Sequence, residues 1–352
     1  MAELKLFDQK EKRKQERKLR KQEMKKAKME AKARKKEKKK GMGYLFLPPE
    51  KKSYAWVWIL LIIVLIAALV IYVTRDNQQL TVHYAEFEHE QIPEAFDGYR
   101  ILQITDLHGK TFGTMQKRLA SHINSLEFDM ILMTGDYLRS PDDEDYYVII
   151  DLIDSIEKEV PIYYILGETD YRPDREDLDD NWNMCIIPSK KTPLMEKLEE
   201  RGCSFVYPIQ RIEKGGEYIY LTGTKYYEKK FDELGFDSDK HFSICVTHKP
   251  INYNVQRRLD DVNQRYLVEV DFDASISGHT IGGHARLPLL GAFYTDDKGL
   301  LPEEKYAYGL SVDNHGRLKF ISSGLGIPSS FRLRAFNTPE VAIITLKHKT
   351  AD

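Results

Sequence analysis

Polar and apolar positions divide this chain into three zones. From Gln9 to Lys40 nearly every position is Lys, Arg, Glu, Gln, Ala or Met. These residues favour helix, neither Gly nor Pro interrupts them, and apolar positions are too few for a stripe, so a solvated, charged helix is expected. Tyr54 to Thr74 is a run of 21 residues without a charge. At about 1.5 Å rise per residue such a helix crosses a hydrocarbon core of roughly 30 Å. Tyr54, Trp56 and Trp58 at one end and Tyr72 at the other stand where an interfacial aromatic belt belongs. No small-x-small cleavage site follows before Arg75, Asp76 and Asn77, so the run reads as an uncleaved signal anchor. Leu80, Val82 and Tyr84 then alternate with polar residues as a strand does, which leaves Arg75 to Gln79 as a free tether. Fully extended, it reaches at most about 15 to 20 Å.

The third zone alternates short apolar runs with amphipathic stretches: Arg100 to Thr105, Met115 to Leu126, Met130 to Thr134, Tyr146 to Ile156 and Ile162 to Leu166. This is a β-α-β-α-β pattern. Continuous apolar strands joined by helices imply a sheet buried on both faces, with ligands gathered beyond the carboxyl ends of its strands. A hairpin signal follows at Gly215 and Gly216, apolar runs end at Thr247 and Ser277, and the stretch from Gly291 to Lys347 adds strands to a second sheet. The fold class is α/β.

Charge sharpens the division. Residues 1 to 52 hold 21 Lys or Arg against 8 Asp or Glu, net +13; the whole chain is −2, which leaves −15 for residues 53 to 352. The basic excess before the apolar helix places the N-terminus in the cytoplasm and all after Arg75 outside. It serves as a topology signal, or draws the arm to anionic headgroups. An acidic domain and an arm without interleaved aromatics both argue against nucleic acid as a partner. Three cysteines, Cys185, Cys203 and Cys245, make neither a disulfide framework nor a CxxC site; Cys185 and Cys203 could pair, and Cys245 reads as a small buried hydrophobe. The acidic insert Arg172 to Asp180, followed by Trp182, is either a lid over a site or a solvated loop.

Five loops, each after an expected strand, carry side chains suited to metals. They are Asp106-Leu107-His108, Gly135-Asp136, Gly167-Glu168-Thr169-Asp170, His248, and Gly278-His279-Thr280-Ile281-Gly282-Gly283-His284. A lone Asp or His at a strand end is usually a cap or a loop contact. Five in order, on a fold that turns them all to one rim, point to a metal site. Mixed carboxylate and imidazole ligands suit Mn, Fe or Zn, and a carboxylate such as Asp136 can bridge two ions that clamp a phosphoryl group.

The order DxH, GD, GN(H/D), H, GHxHGG is similar to that of the calcineurin-like metallophosphoesterases, a family of two-sheet sandwiches flanked by helices. Arg286-Leu287-Pro288, Tyr308-Gly309-Leu310, Ser323-Gly324-Leu325-Gly326, Arg334 and Pro339-Glu340 further resemble its membrane-anchored bacterial branch, so that the likeness covers roughly residues 82 to 347. It implies that Asp106, His108 and Asp136 hold one ion and that Asp136, His248 and His279 hold a second. Three positions depart from the family. Glu168 replaces an Asn ligand and keeps a coordinating oxygen, with an added charge. Thr169 replaces the His that protonates the leaving group; loss of a general acid typically costs about 10²- to 10⁴-fold in rate. Ile281 replaces the second His of GHxH and cannot bind a metal. His284, three residues on, is the candidate to substitute as ligand or proton donor, against a plain supporting role, and Asp170 keeps an acidic position whose imidazole partner is gone or else caps a turn.

The expected organisation is a basic cytoplasmic segment at 1–53, a transmembrane helix at 54–74 and a metallophosphoesterase-like domain at 75–352. The expected function is hydrolysis of a phosphate ester or pyrophosphate at the outer face of the cell membrane, with one or two divalent ions per chain. Its catalytic residues are Asp136 and His284, and its metal ligands Asp106, His108, Asp136, Glu168, His248 and His279. The substrate is a phosphorylated small molecule or a lipid or envelope precursor. The other reading, favoured by Thr169 and Ile281, is a protein that binds metal or a phosphorylated ligand without useful turnover.

Overall fold

A computed structural model of the chain describes residues 2–41, 54–172, 187–224, 227–251, 270–313, 316–328 and 334–350. The chain divides into two units, Met1–Leu65 and Ile66–Asp352. Helix α1 (Ala2–Gly41) has every described side chain, from 16 to 37, exposed, as a helix without an apolar stripe must. Helix α2 (Ala55–Asp76) is long and apolar enough to cross a membrane. It runs two residues beyond the charge-free stretch. Residues 42–53, most of the acidic insert, Trp182 and Cys185 lie outside the described residues.

In the second unit the chain forms β1 (Thr81–His89), β2 (Arg100–Ile104), α3 (Lys117–Asn124), β3 (Met130–Met133), α4 (Tyr147–Asp154), β4 (Ile162–Tyr164), α5 (Pro193–Glu199) and β5 (Ser204–Phe205). There follow β6 (Ile209–Lys214), β7 (Glu217–Thr222), α6 (Glu228–Glu233), β8 (Ser243–Val246) and β9 (Ala274–Ser277). Two small hairpins, β10 (Arg286–Leu287) with β11 (Gly291–Ala292) and β12 (Tyr294–Thr295) with β13 (Gly299–Leu300), precede β14 (Gly309–Val312), β15 (Leu318–Ile321) and β16 (Glu340–His348).

Two six-stranded sheets result, in the orders β1-β16-β2-β3-β4-β5 and β14-β15-β9-β8-β7-β6. Strands β2 to β5 are mutually parallel, as are β7, β8, β9 and β15. Ile101, Met130 and Leu132 of the first sheet and Ile244, Val246 and Ile276 of the second share one core. The alternate residues Leu102, Ile131 and Met133 pack outward with Leu119 of α3, Ile149 of α4 and Leu198 of α5. Because successive side chains point to opposite faces and both are covered, the strands are apolar throughout. Burying each such side chain stabilises by about 1.5–3 kcal/mol. Cys203 and Cys245 are buried thiols in this packing.

Two expectations are corrected. The chain after Gly291 does not all join the second sheet: β14 and β15 do, but β16 enters the first, between β1 and β2. It carries apolar residues on both faces, Val341 and Ile343 outward, Ala342 and Ile344 inward, so only an interior place between covered faces buries them all. Nor is Arg75 to Gln79 a free tether. The amide of Asn77 donates to Val73 O, continuing the helix, and the Asp76 carboxylate accepts from the Thr338 hydroxyl at 2.6 Å. The Asn77 side chain donates to Arg334 O at 2.8 Å and Arg118 to Gln78 O at 2.7 Å. The last three are side-chain hydrogen bonds to residues far along the chain, which a hydropathy pattern does not encode.

Candidate metal centre

Each candidate ligand stands just beyond the carboxyl end of a parallel strand: Asp106 and His108 after β2, Asp136 after β3, Glu168 after β4, His248 after β8 and His279 after β9. The loops turn sharply to bring them together. Asp106, His108, Asp136 and His279 have φ of 52°, 47°, 57° and 67°. Such non-glycine conformations cost on the order of 1–3 kcal/mol each and persist where the surroundings hold them. Glycine is required where loops cross: a Cβ on Gly167 would overlap the Asp136 carboxylate, and one on Gly278 would overlap Asp106 and Thr105.

Among the described residues two groups of ligand atoms could each hold an ion, Asp106–His108–Asp136 and Asp136–His248–His279, with Asp136 common to both. His108 Nε2 lies 3.7 Å from Asp106 Oδ1 and 3.7 Å from Asp136 Oδ2; His248 Nε2 lies 3.2 Å from Asp136 Oδ2 and 3.3 Å from His279 Nδ1. His248 Nδ1 donates to Thr134 O at 2.8 Å, which turns the Nε2 lone pair toward Asp136. Both ring nitrogens of His108 are buried without a hydrogen-bond partner. Lone pairs facing one another, and an imidazole with none of its polar atoms satisfied, fit a bound cation.

The electrostatics agree. Burial disfavours charge on His248, yet Asp136 and Asp106 together push it up to about 10. Burial and the neighbouring His248 hold His279 well below the usual imidazole value, so it is neutral and able to ligate. Burial likewise opposes a charge on Asp136, but His248 and His108 hold it below the usual carboxylate range; burial raises Asp106. The field thus favours positive charge between the carboxylates, and a divalent ion would supply it.

Asp170 has a larger part than capping a turn. Its Oδ2 accepts from the amides of Asp136 (2.7 Å) and Gly167 (2.8 Å), and its Oδ1 from those of Tyr137 (2.7 Å) and Leu138 (3.0 Å). It ties the β3 and β4 loops together under Asp136. Burial, with the charge of Asp136, pushes its pKa up to about 7. In Asp170→Asn the amide NH₂ would face two of these N–H donors, and metal affinity should fall about 10- to 100-fold in a chelator competition. Unchanged affinity would mean that the position of Asp136 does not rest on Asp170.

Arg334 is the other support. Fully buried, its guanidinium donates to the carbonyls of Ser323, Gly324, Gly326 and Asn337. The segment so pinned backs the first ligand loop, with Gly326 N donating to Asp106 O and Leu325 N to Thr105 O. The sequence places Arg334 in a motif but gives it no role, since its partners are carbonyls. Thr105, whose hydroxyl donates to Asp106 Oδ2 at 2.7 Å, leaves no pattern of its own either.

The departures from the family pattern are also visible. Glu168 lies outside both groups: Lys249 Nζ pairs with its Oε1 at 2.7 Å, and its Oε2 is 3.7 Å from His279 Nδ1. Thr169 donates its amide to Asp136 Oδ1 at 2.9 Å, and its buried hydroxyl has no hydrogen-bond partner. Ile281 is buried, at φ 51°. His284 is buried at φ 58° with its ring centroid 6.1 Å from that of Tyr294, and it is in neither ligand group.

The family described as Calcineurin-like phosphoesterase matches residues 99–282, just over half of the chain. A Bacillus subtilis (strain 168) protein described as the uncharacterized metallophosphoesterase YkuE is 25% identical over 263 residues, covering 73% of this chain and 82% of that protein. A more distant likeness is to the crystal structure of a 5′-nucleotidase precursor from Thermus thermophilus, with a TM-score of 0.34 and 12% identity over 65% of this chain. The match spans 49% of that structure's length.

Proposed function

The chain belongs to the calcineurin-like phosphoesterase family, and from that premise we propose that it is a membrane-anchored, metal-dependent phosphoesterase acting at the outer face of the cell membrane. The observation that carries the proposal is the convergence of five ligand-type side chains from both sheets on two groups that share Asp136. In this reading Asp106, His108, Asp136, His248 and His279 hold one or two divalent ions of the Mn, Fe or Zn type, and Glu168 joins them when it releases Lys249. When bound, the ions would polarise the phosphoryl oxygens and lower the pKa of bound water toward neutral.

The chain's own residues set the geometry for this chemistry. Thr134 fixes the orientation of His248, Asp170 the position of Asp136, and the His279 amide, within 3.1 Å of both carboxylate oxygens, that of Asp106. His284 takes the proton-donor role that Thr169 cannot fill. Burial holds its pKa below the usual value, so its protonated fraction at neutral pH is small and its assistance weak.

Anchoring rests on α2, and the outward orientation on the net +13 of residues 1–52. The substrate is then a phosphate ester or pyrophosphate within reach of the bilayer, on a phosphorylated small molecule or a lipid or envelope precursor. A second reading, binding without turnover, is favoured by the buried Ile281 where a ligand would stand and by the Lys249–Glu168 pair.

The full-length chain, assayed on a generic phosphomonoester and phosphodiester with added Mn, is expected to turn over at least one. A chelator should remove that activity and Mn restore it. Bound metal with no turnover of either ester would decide for the second reading. Protease added to intact cells should cut the domain; protection would contradict the outward orientation.

A further inference from the structure

Among the large apolar side chains exposed on the described chain after the His279 loop, five lie on or beside the two small hairpins. Leu289 and Leu290 form the turn between β10 and β11, Leu300 and Leu301 lie at and just after β13, and Phe336 lies beside β10. Leu289 is fully exposed, and Leu290 and Leu300 are 66% and 64% exposed. Polar turns are the rule in such short hairpins, and clustered apolar residues of this kind mark a contact surface.

These turns are joined to the end of α2 by direct contacts. Tyr72 packs on Phe336 with ring centroids 5.4 Å apart. The next residue back, Ala335, bridges to Ala285 and accepts from the amide of Arg286, the first residue of β10. Phe293 joins the two hairpins: its amide donates to Ala285 O, beside β10, and its carbonyl accepts from Leu301 N, beside β13, each at 2.8 Å. The Asp76–Thr338 and Asn77–Arg334 hydrogen bonds fix the same corner.

The backbone supplies an independent sign. Leu289, Leu301 and Phe336 have φ of 68°, 51° and 54°, a region that favours glycine and asparagine and disfavours bulky residues. At exposed turns with this backbone, glycine or asparagine would serve the fold better. Phe336 gains its contact with Tyr72, and the exposed leucines gain from something outside the domain.

We propose that Leu289, Leu290, Leu300, Leu301 and Phe336 enter the interfacial layer of the same lipid bilayer that α2 crosses, and so hold the metal loop against the membrane surface. The inference rests on the membrane-anchored reading of α2. Tyr72 marks the occupant as lipid: an aromatic near the end of a spanning helix sits at the headgroup level, and its partner Phe336 is then at that level too. His284 is separated from Arg286 of β10 only by Ala285, so the site cannot leave the surface while the hairpins are seated.

The test uses the full-length chain in phosphatidylcholine–phosphatidylglycerol vesicles, with Cys185, Cys203 and Cys245 replaced by alanine and one cysteine introduced at a time for an environment-sensitive fluorophore. Leu289→Cys and Leu300→Cys are compared with Ile62→Cys inside α2 and with Tyr147→Cys on α4, 72% exposed, as the water reference. Doxyl-labelled lipid should quench the first two at least about threefold more than Tyr147→Cys. Quenching at Ile62 with none at Leu289 and Leu300 would overturn the proposal. Blue-shifted but unquenched labels at those two positions would also overturn it, because a protein would then cover the turns. No quenching at Ile62 would remove the anchored reading itself.

Discussion

Asp136→Asn should lower kcat/KM by at least about 10³-fold, close to 4 kcal/mol of transition-state stabilisation. Asp136 is the one residue in both ligand groups, 3.2 Å from His248 and 3.7 Å from His108. Its carboxylate is held below the usual range by those imidazoles, so it is ionised over the whole working range of pH. Asparagine is nearly isosteric and leaves the core intact, but it removes the charge shared by the two groups. It also turns an NH₂ toward one side of the site, where only acceptors are wanted. Thermal unfolding of the variant should stay close to wild type while activity is lost. Retained turnover would mean that the chemistry lies elsewhere.

Thr169→His combined with Ile281→His should act in the opposite direction, raising kcat by about 10²- to 10⁴-fold, the usual worth of a general acid. The backbone is already held at both places. Thr169 donates its amide to Asp136 Oδ1, and Ile281 O accepts from Asn337 Nδ2 at 2.6 Å. Ile281 is also β-branched at φ 51°, a conformation isoleucine avoids and histidine tolerates better. The single variants separate the effects: Ile281→His should tighten metal binding and Thr169→His should raise kcat. An inert double variant would show that the two missing imidazoles do not limit the site and would favour binding without turnover.

Much of this was legible in the sequence because it follows from apolar runs that end in polar loops. The strands β2, β3, β4, β8 and β9 fall where those runs predict, and side chains from four of the five loops beyond them meet in the two ligand groups. Gly215 and Gly216, at φ 62° and 84°, close the expected hairpin between β6 and β7. What the sequence hid depends on partners far away along the chain. The place of β16 is decided by pairing with β1 and β2, hundreds of residues upstream. The docking of Asp76 and Asn77, the four amides gathered by Asp170 and the carbonyls gathered by Arg334 are contacts between side chains and remote partners. Glu168 carries the right chemistry for a ligand, yet whether it turns to the metal groups or to Lys249 is set by a neighbour in another loop.

The most direct test is the number of divalent ions per chain, measured by plasma mass spectrometry on the full-length protein and on Asp136→Asn prepared alongside. A centre built on two groups sharing Asp136 predicts one to two ions in the wild type and a marked loss in the variant. A wild-type content well below one, or equal content in both proteins, would contradict it.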